Sequence, residues 1–382
     1  MTSRARLILG RLALLAVLLA VVLGVAAAEI YRRLEAEYLA PGPAAAAVRI
    51  QVPPGVSVRA VLAQLQALGA VRAAREVQWY LRLNGIHPRV QAGAYEIPPH
   101  SSPELILRMF EEGKVILEQL TVVEGSTFGD FLALLEHEPD VVHTLAGKTP
   151  AEVMMLLGHA GESPEGRFFP DTYRFAANTA DSVILGQAYD RMRHALDAAW
   201  ASRSPDLPFD SPEQALILAS MVEKEAQLAT ERARIAGVFV SRLRRGMRLQ
   251  SDPTVIYGLG AQYDGEIHTR DLLADTPYNT YTRAGLPPTP IALPGRESLQ
   301  AAVHPQDTGE LYFVATGLGD GAHHFSKTLA EHNSAVKAYL ARLRHAAQAA
   351  AAAAAPAAPV PAAARAGAKR PGRGGTPAGT PQ

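Results

Sequence analysis

The sequence contains no cysteine. Disulfides, thiolate metal sites and thiol nucleophiles are therefore excluded, a composition compatible with an oxidising compartment. Net charge is also lacking, since 37 Lys and Arg stand against 37 Asp and Glu. No global field steers the protein to nucleic acid, so affinity for a polyanion has to come from a local patch. No glycine-rich loop follows a strand in the pattern that cradles phosphates, and His304, His323, His324 and His332 match no ligand spacing such as H-E-x-x-H. No cofactor and no metal are implied. At 382 residues there is room for two domains with appendages.

What is present begins with an anchor. Residues 1–11 carry Arg4, Arg6 and Arg11 and no acid, and 12–28 form an unbroken apolar run. Its length is at the short end of the roughly 17–25 residues that span a bilayer. The positive-inside rule keeps the N-terminus cytoplasmic and places the remainder outside the inner membrane, as a single-pass protein. Ala26-Ala27-Ala28 also fits the small-residue cleavage pattern of a signal peptide. Either reading exports the chain.

Residues 29–47 read as a stalk: a charged, helix-prone stretch to Tyr38, then a linker rich in Pro, Gly and Ala. A small domain over 48–118 follows in the order strand, helix, helix, strand, with a last helix capped by Ser102 and stopped at Gly113. Its Trp79, Tyr80 and Tyr95 are candidates for stacking on sugar rings or for filling a small core.

A larger domain over 119–345 is mixed α+β. Thr127–Leu135 reads as a helix with Asp130 solvated, Pro150–Gly158 as another, and Asp181–Ser202 as a long amphipathic one. Asp171 and Tyr173 read as turn residues that also have the option of facing substrate. Arg242, Arg244 and Arg245 form a basic cluster, either a solvated face or a contact for substrate carboxylates. The segment GLPPTPIALPG is rich enough in proline to be extended and is expected to form a rigid groove wall. LYFVATG reads as a buried strand. Residues 346–382 are Ala, Pro and Gly with Arg365, Lys369, Arg370 and Arg373 and no acid, a composition expected to stay disordered.

The chemistry concentrates between Ser211 and Tyr257. Ser211-Pro212-Glu213-Gln214 is a helix start with a hydroxyl N-cap, proline at the first position and Gln at capping-box spacing. The spacing predicts a helix to about Leu228. Leu218, Met221, Val222, Leu228 and Ala229 make an apolar stripe that Glu225 interrupts. Burial disfavours the ionised carboxylate and makes such a Glu a proton donor near neutral pH. Glu223 points to the other, more polar side. The alternative is a structural Glu225 paired with Lys224, Arg232 or Arg234.

The blocks ASMVEKEAQLATER, VFVSRLRRGMRLQSDPTVIYG, TPYNTYTRAGLPPTPIALPG, LYFVATG and EHN, preceded by VVEGSTF and FFPDTYRF, resemble the YceG-like family of membrane-anchored endolytic murein transglycosylases. The resemblance spans about residues 48–345. It implies that Glu225 is the catalytic acid, that Asp252, Asn279 and Tyr281 contact substrate, and that the small domain is a LysM-like βααβ glycan-binding module; Gln250 and Glu223 are read as further substrate-binding residues. It further implies cleavage of the MurNAc–GlcNAc β-1,4 bond of nascent peptidoglycan to 1,6-anhydro-MurNAc ends, terminating strand elongation, with penicillin-binding proteins or other peptidoglycan synthases as partners. A hydrolytic muramidase, which needs a second carboxylate such as Asp252 or Glu223, and a non-catalytic, membrane-tethered wall-binding scaffold are the competing readings.

Overall fold

The structure, a computed structural model, describes residues 3–354. Helix α1 (Ser3–Leu39) runs unbroken from the arginine-bearing start through the apolar run and the charged stretch after it. No proline occurs before Pro41, so nothing stops the helix earlier. Glu29 pairs with Arg32 and Arg33 one turn on, the spacing that supports an exposed helix. Over Arg11–Leu39 the helix is long and apolar enough to cross a membrane.

The next elements are β1 (Val48–Val52), α2 (Val58–Ala67), α3 (Ala74–Leu83), β2 (Gly93–Ile97) and α4 (Pro103–Glu111). β1 and β2 pair antiparallel with Ile50 opposite Tyr95. The period of two turns Ile50, Val52, Tyr95 and Ile97 inward onto Val61, Leu65, Ile106 and Phe110. Ser57 and Ser102 cap α2 and α4 by accepting from N–H groups of the first turn. Tyr95 is wholly buried and meets Phe110 edge-on at 4.6 Å, which makes it a core residue with no face open to a sugar. Tyr80 stacks at 4.7 Å on Tyr38 of α1 and is likewise engaged. Trp79 stays 55% exposed.

The larger part opens with β3 (Leu117–Thr121), α5 (Phe128–Glu136), β4 (Val141–Val142), α6 (Pro150–Leu156), β5 (Thr172–Ala176), β6 (Thr179–Ala180) and α7 (Asp181–Ala201). β3 pairs antiparallel with β5, and β4 parallel with β6. Phe128, Phe131, Phe168, Tyr173 and Ile184 form one core here. Asp130 is not simply solvated: it closes the capping box of α5, accepting from the Thr127 N–H at 2.8 Å. Tyr173 is a core residue, and Asp171 pairs with Arg191 on the surface.

A second core forms around α8 (Pro212–Glu225), α9 (Arg232–Arg244), α10 (Asp252–Leu259), α11 (Thr269–Leu273), α12 (Arg296–Val303), β7 (Tyr312–Ala315), β8 (His323–Ser326) and α13 (Leu329–Ala354). Every residue of α8 from Ala215 to Val222 is buried, because α7, α9 and α12 pack around it. The proline-rich segment is a core strap and not a groove wall. Ile291, Ala292 and Leu293 are buried; the Leu293 N–H donates to Ser126 O at 2.7 Å, and the Ile291 N–H to the Ser220 hydroxyl at 3.0 Å. β7 pairs antiparallel with β8, and all four of its residues are only half-buried, so the strand expected to be buried is not. Helix α13 continues to Ala354, nine residues further than the expected start of the tail allows at Ala346; the rest of the tail lies outside the described residues.

Candidate active site

α8 starts where expected, with the Ser211 hydroxyl accepting from the Gln214 N–H at 3.3 Å. Its other end departs from the predicted course. The helix stops at Glu225, and Ala226 leaves it in extended conformation, so Leu228 and Ala229 do not extend the stripe. Glu225 therefore occupies the carbonyl end of a buried helix, where the aligned peptide dipoles also disfavour an anion.

The carboxyl of Glu225 accepts one hydrogen bond, from the Ser251 hydroxyl at 2.6 Å. Its pKa is pushed up to about 7, first by desolvation and then by the nearby Asp252 carboxylate. The Ser251 hydrogen bond and the Arg242 guanidinium pull the other way and are outweighed. None of the cations considered as structural partners reaches it. Arg232 pairs with Glu223 at 3.4 Å and Glu297 at 2.7 Å, Arg234 pairs with Glu310, and the Lys224 ammonium donates to Gly125 O at 3.1 Å.

Ser251 is itself fixed. It is 1% exposed, and its N–H donates to the Thr280 hydroxyl at 3.0 Å. Thr254 donates to Ser251 O at 2.6 Å and is hydrogen-bonded to Thr280 at 2.9 Å. Gln250 takes a left-handed φ of 51° and ties its N–H to Thr280 O at 3.1 Å. The turn after α9 is thus clamped on the YNTY segment, which aims the serine at the end of α8.

Beside Glu225 lies a cleft of about 570 Å³, lined also by Gln250, Asp252 and Tyr281, with Arg242 on one side and β7 and α13 opposite. The Tyr281 hydroxyl donates to Asp252 at 2.5 Å, and burial together with that carboxylate holds the phenol protonated far above neutral pH. Four of the six expected residues, Glu225, Gln250, Asp252 and Tyr281, thus share one wall.

The other two stand apart from it. Asn279 is fully buried, and its carboxamide donates to the carbonyls of Asp271, Leu272 and Ala274 at 3.1, 3.1 and 2.7 Å while accepting from the Tyr281 N–H at 2.9 Å. Both amide hydrogens are spent on carbonyls of its own loop and the side chain is enclosed, so it shapes the loop that presents Tyr281. Glu223 has a side chain only 5% exposed, and besides Arg232 it accepts from the Gly295 N–H at 2.8 Å. Its surroundings are a buried ion pair on the far side of α8.

Arg242 corrects the reading of the basic cluster as one solvated face. It is 7% exposed and donates to Leu311 O and Leu249 O at 2.7 Å each, joining the start of β7 to the turn that carries Ser251. Arg244, by contrast, is outward and meets Asp307 at 3.3 Å. The signal was available: Arg242 lies four residues after Val238 and three after Phe239, on the apolar face of α9. His332 and Tyr312, absent from the expected set, stack at 5.1 Å on the opposite wall, and burial with the Arg242 charge keeps the His332 pKa below its usual value. His323 instead hydrogen-bonds Glu231 at 2.8 Å.

The YceG-like family matches this chain over residues 50–338. The endolytic murein transglycosylase of Bacillus subtilis is 31% identical over 310 residues, 77% of this chain and 85% of that protein. The endolytic murein transglycosylase of Streptococcus pneumoniae is 26% identical over 319 residues, 75% of this chain and 57% of that protein. A crystal structure of a yceG-like protein from Listeria monocytogenes, 27% identical, aligns with 75% of this chain and 98% of its own at a TM-score of 0.43. With a family match over most of its length, and with the expected acid at the head of a cleft, this chain belongs to the YceG-like family.

Proposed function

We propose that this chain is a murein transglycosylase, a lyase that cuts the MurNAc–GlcNAc β-1,4 bonds of nascent peptidoglycan strands internally and leaves 1,6-anhydro-MurNAc ends, so terminating strand elongation. The observation that carries the reading is Glu225: a carboxyl pushed up to about 7, in no salt bridge among the described residues, at the edge of a cleft in a family whose relatives bear that name.

Such a reaction needs one group that first gives and then takes a proton. Protonated Glu225 donates to the glycosidic oxygen as the bond to the anomeric carbon breaks, and the GlcNAc side leaves with a free hydroxyl. The carboxylate so formed accepts the proton of the muramoyl 6-hydroxyl, whose oxygen closes on the anomeric carbon. Glu225 ends protonated as it began, and no water is consumed. A pKa near the working pH serves both halves. Ser251 holds the carboxyl in register through its single hydrogen bond. The positive charge developing on the sugar ring is offset by the substrate's own acetamido group or by Asp252 beside it.

Asp252 also keeps a hydrolytic muramidase in view, because it puts a second carboxylate on the cleft wall. Digestion of purified glycan strands separates the two. Anhydromuramic ends support the transglycosylase, and reducing ends support the hydrolase. If parent and Glu225→Gln variant both bind glycan and neither cuts it, the chain is a wall-binding scaffold.

The apolar run of α1 and the arginines before it support a single-pass anchor in the cytoplasmic membrane with the catalytic part outside. Peptidoglycan synthases such as penicillin-binding proteins, which make the strand in the same membrane, are the partners this placement suits.

A further inference from the structure

The junction between α1 and the small module fixes how far that module stands from the membrane. The Tyr31 hydroxyl of α1 donates to the Asn84 side chain at 3.1 Å, while Tyr38, two turns further on, stacks on Tyr80. α3 therefore runs back along α1, with its C-terminal end towards the apolar run. Tyr31 follows Ala28 by three residues, about 5 Å of helix at 1.5 Å per residue. The apolar run, shorter than the roughly 30 Å of hydrocarbon it has to cross, leaves Tyr31 and its partner Asn84 at the boundary of the bilayer.

The end of α3 is built for that level. Trp79 and Leu83, four residues apart and so on one face, are 55% and 60% exposed, and Ile86 just beyond is 37% exposed. Arg82 and Arg89 are exposed beside them, and no Asp or Glu occurs between Val77 and Tyr95. Scattered exposed apolar residues are ordinary on a protein surface. Here Leu83 and Ile86 stand with the cations at the boundary and Trp79, about 7 Å further out along α3, stands in the headgroup layer, the zone where tryptophan and arginine are favoured.

We propose that the C-terminal end of α3 and the turn after it, presenting Trp79, Leu83 and Ile86 with Arg82 and Arg89, rest in the headgroup region of the bilayer that α1 crosses. The inference rests on the anchor reading of α1. It makes the small module a foot that holds the catalytic part at a set attitude to the membrane surface, and it gives Trp79 a lipid contact in place of a sugar.

The chain has two tryptophans, Trp79 and Trp200. In a Trp200→Phe background Trp79 is the sole reporter, and Trp79→Phe leaves Trp200 as the reference. Each full chain is reconstituted into phosphatidylethanolamine and phosphatidylglycerol vesicles, recovered by flotation, and compared with the same vesicles made from lipids brominated near the top of the acyl chain. The expected result is emission from Trp79 roughly halved by the bromolipid, with Trp200 unchanged, and recovery of the Trp79 signal in Leu83→Asp without loss of flotation. Floated chains in which Trp79 is quenched no more than Trp200 overturn the proposal and leave the face to a protein or glycan. Chains that fail to float overturn the anchor reading, and the proposal with it.

Discussion

The Ser251 hydroxyl donates a 2.6 Å hydrogen bond to the carboxyl of Glu225, joining the turn after α9 to the last residue of α8. It is the one hydrogen bond that the carboxyl receives from another side chain among the described residues, and it stabilises the anion against a burial that disfavours it. The following expectations turn on that balance and on the loops that maintain it.

Glu225→Gln keeps the size of the side chain and its capacity to bond Ser251, and removes the proton relay. Cleavage of purified glycan strands is expected to fall by about 10²–10⁴-fold, the usual weight of a general acid, with binding retained. Release of soluble muropeptides over time measures it. Undiminished cleavage removes Glu225 from the mechanism.

The acid form of Glu225 has to be present before the bond breaks, so kcat/KM is expected to decline as pH rises through about 7. Stability carries the same signature with its sign set by linkage. A carboxyl whose folded pKa exceeds its unfolded value binds more protons when folded, so stability is greatest below the unfolded pKa and falls between there and about 7. Glu165, buried and bonded to the Phe128 N–H and the Tyr257 hydroxyl, is pushed up to about 7 by burial and adds in the same direction. Glu225→Gln should therefore outlast the parent in denaturant at pH 8 by up to about 3 kcal/mol and match it near pH 4, as urea titrations at the two pH values will report.

Ser251→Ala deletes the hydrogen bond that favours the anion. The descending limb of the pH–rate profile is expected to move to higher pH, while stability drops by only about 1 kcal/mol. A limb that stays in place, or moves to lower pH, contradicts the assignment.

Asn279 and Tyr281 are neighbours with opposite duties. Asn279→Ala takes the side-chain partner from Leu272 O and the Tyr281 N–H, while Asp271 O and Ala274 O keep backbone donors, and should cost roughly 2–3 kcal/mol of unfolding free energy. Tyr281→Phe loses only the bond to Asp252 and should stay within about 1 kcal/mol of the parent, with its effect on KM or kcat for glycan. Thermal melts alongside kinetics distinguish the two, and equal destabilisation by both substitutions contradicts the division.

Arg232→Ala leaves Glu223 buried opposite the Gly295 N–H without its cation. A loss of about 3–5 kcal/mol is expected, against a smaller one for the double variant Arg232→Ala with Glu223→Gln, which removes the stranded charge. A double variant no more stable than the single one speaks against a buried ion pair.

Helical spacing marked Glu225 as a charge within an apolar stripe, the signature blocks around it supplied its reading as an acid, and composition marked the apolar run. Spacing failed at the end of the same helix. Whether a chain leaves a helix at Ala226 or three residues later depends on what receives it, and β8 and the turn before it come from a hundred residues downstream. Asn279 is expected at the substrate from the resemblance alone, and an amide has identical valences whether it meets a ligand or three carbonyls of its own loop.

The mixed α+β class, the capped helices such as α5 and α8 and the apolar run of α1 were legible in the sequence itself, since periodicity, caps and the hydrophobic effect act on near neighbours. Tertiary structure decided which polar groups are spent and which are free. Burial of Arg242 against Leu311 O and the Gly295 N–H that meets Glu223 depend on partners 69 and 72 residues away, whereas Asn279 is enclosed by its own loop. The Glu225 pKa rises mainly because the fold withdraws water from the carboxyl, and the elements that complete that burial are packed in from elsewhere in the chain.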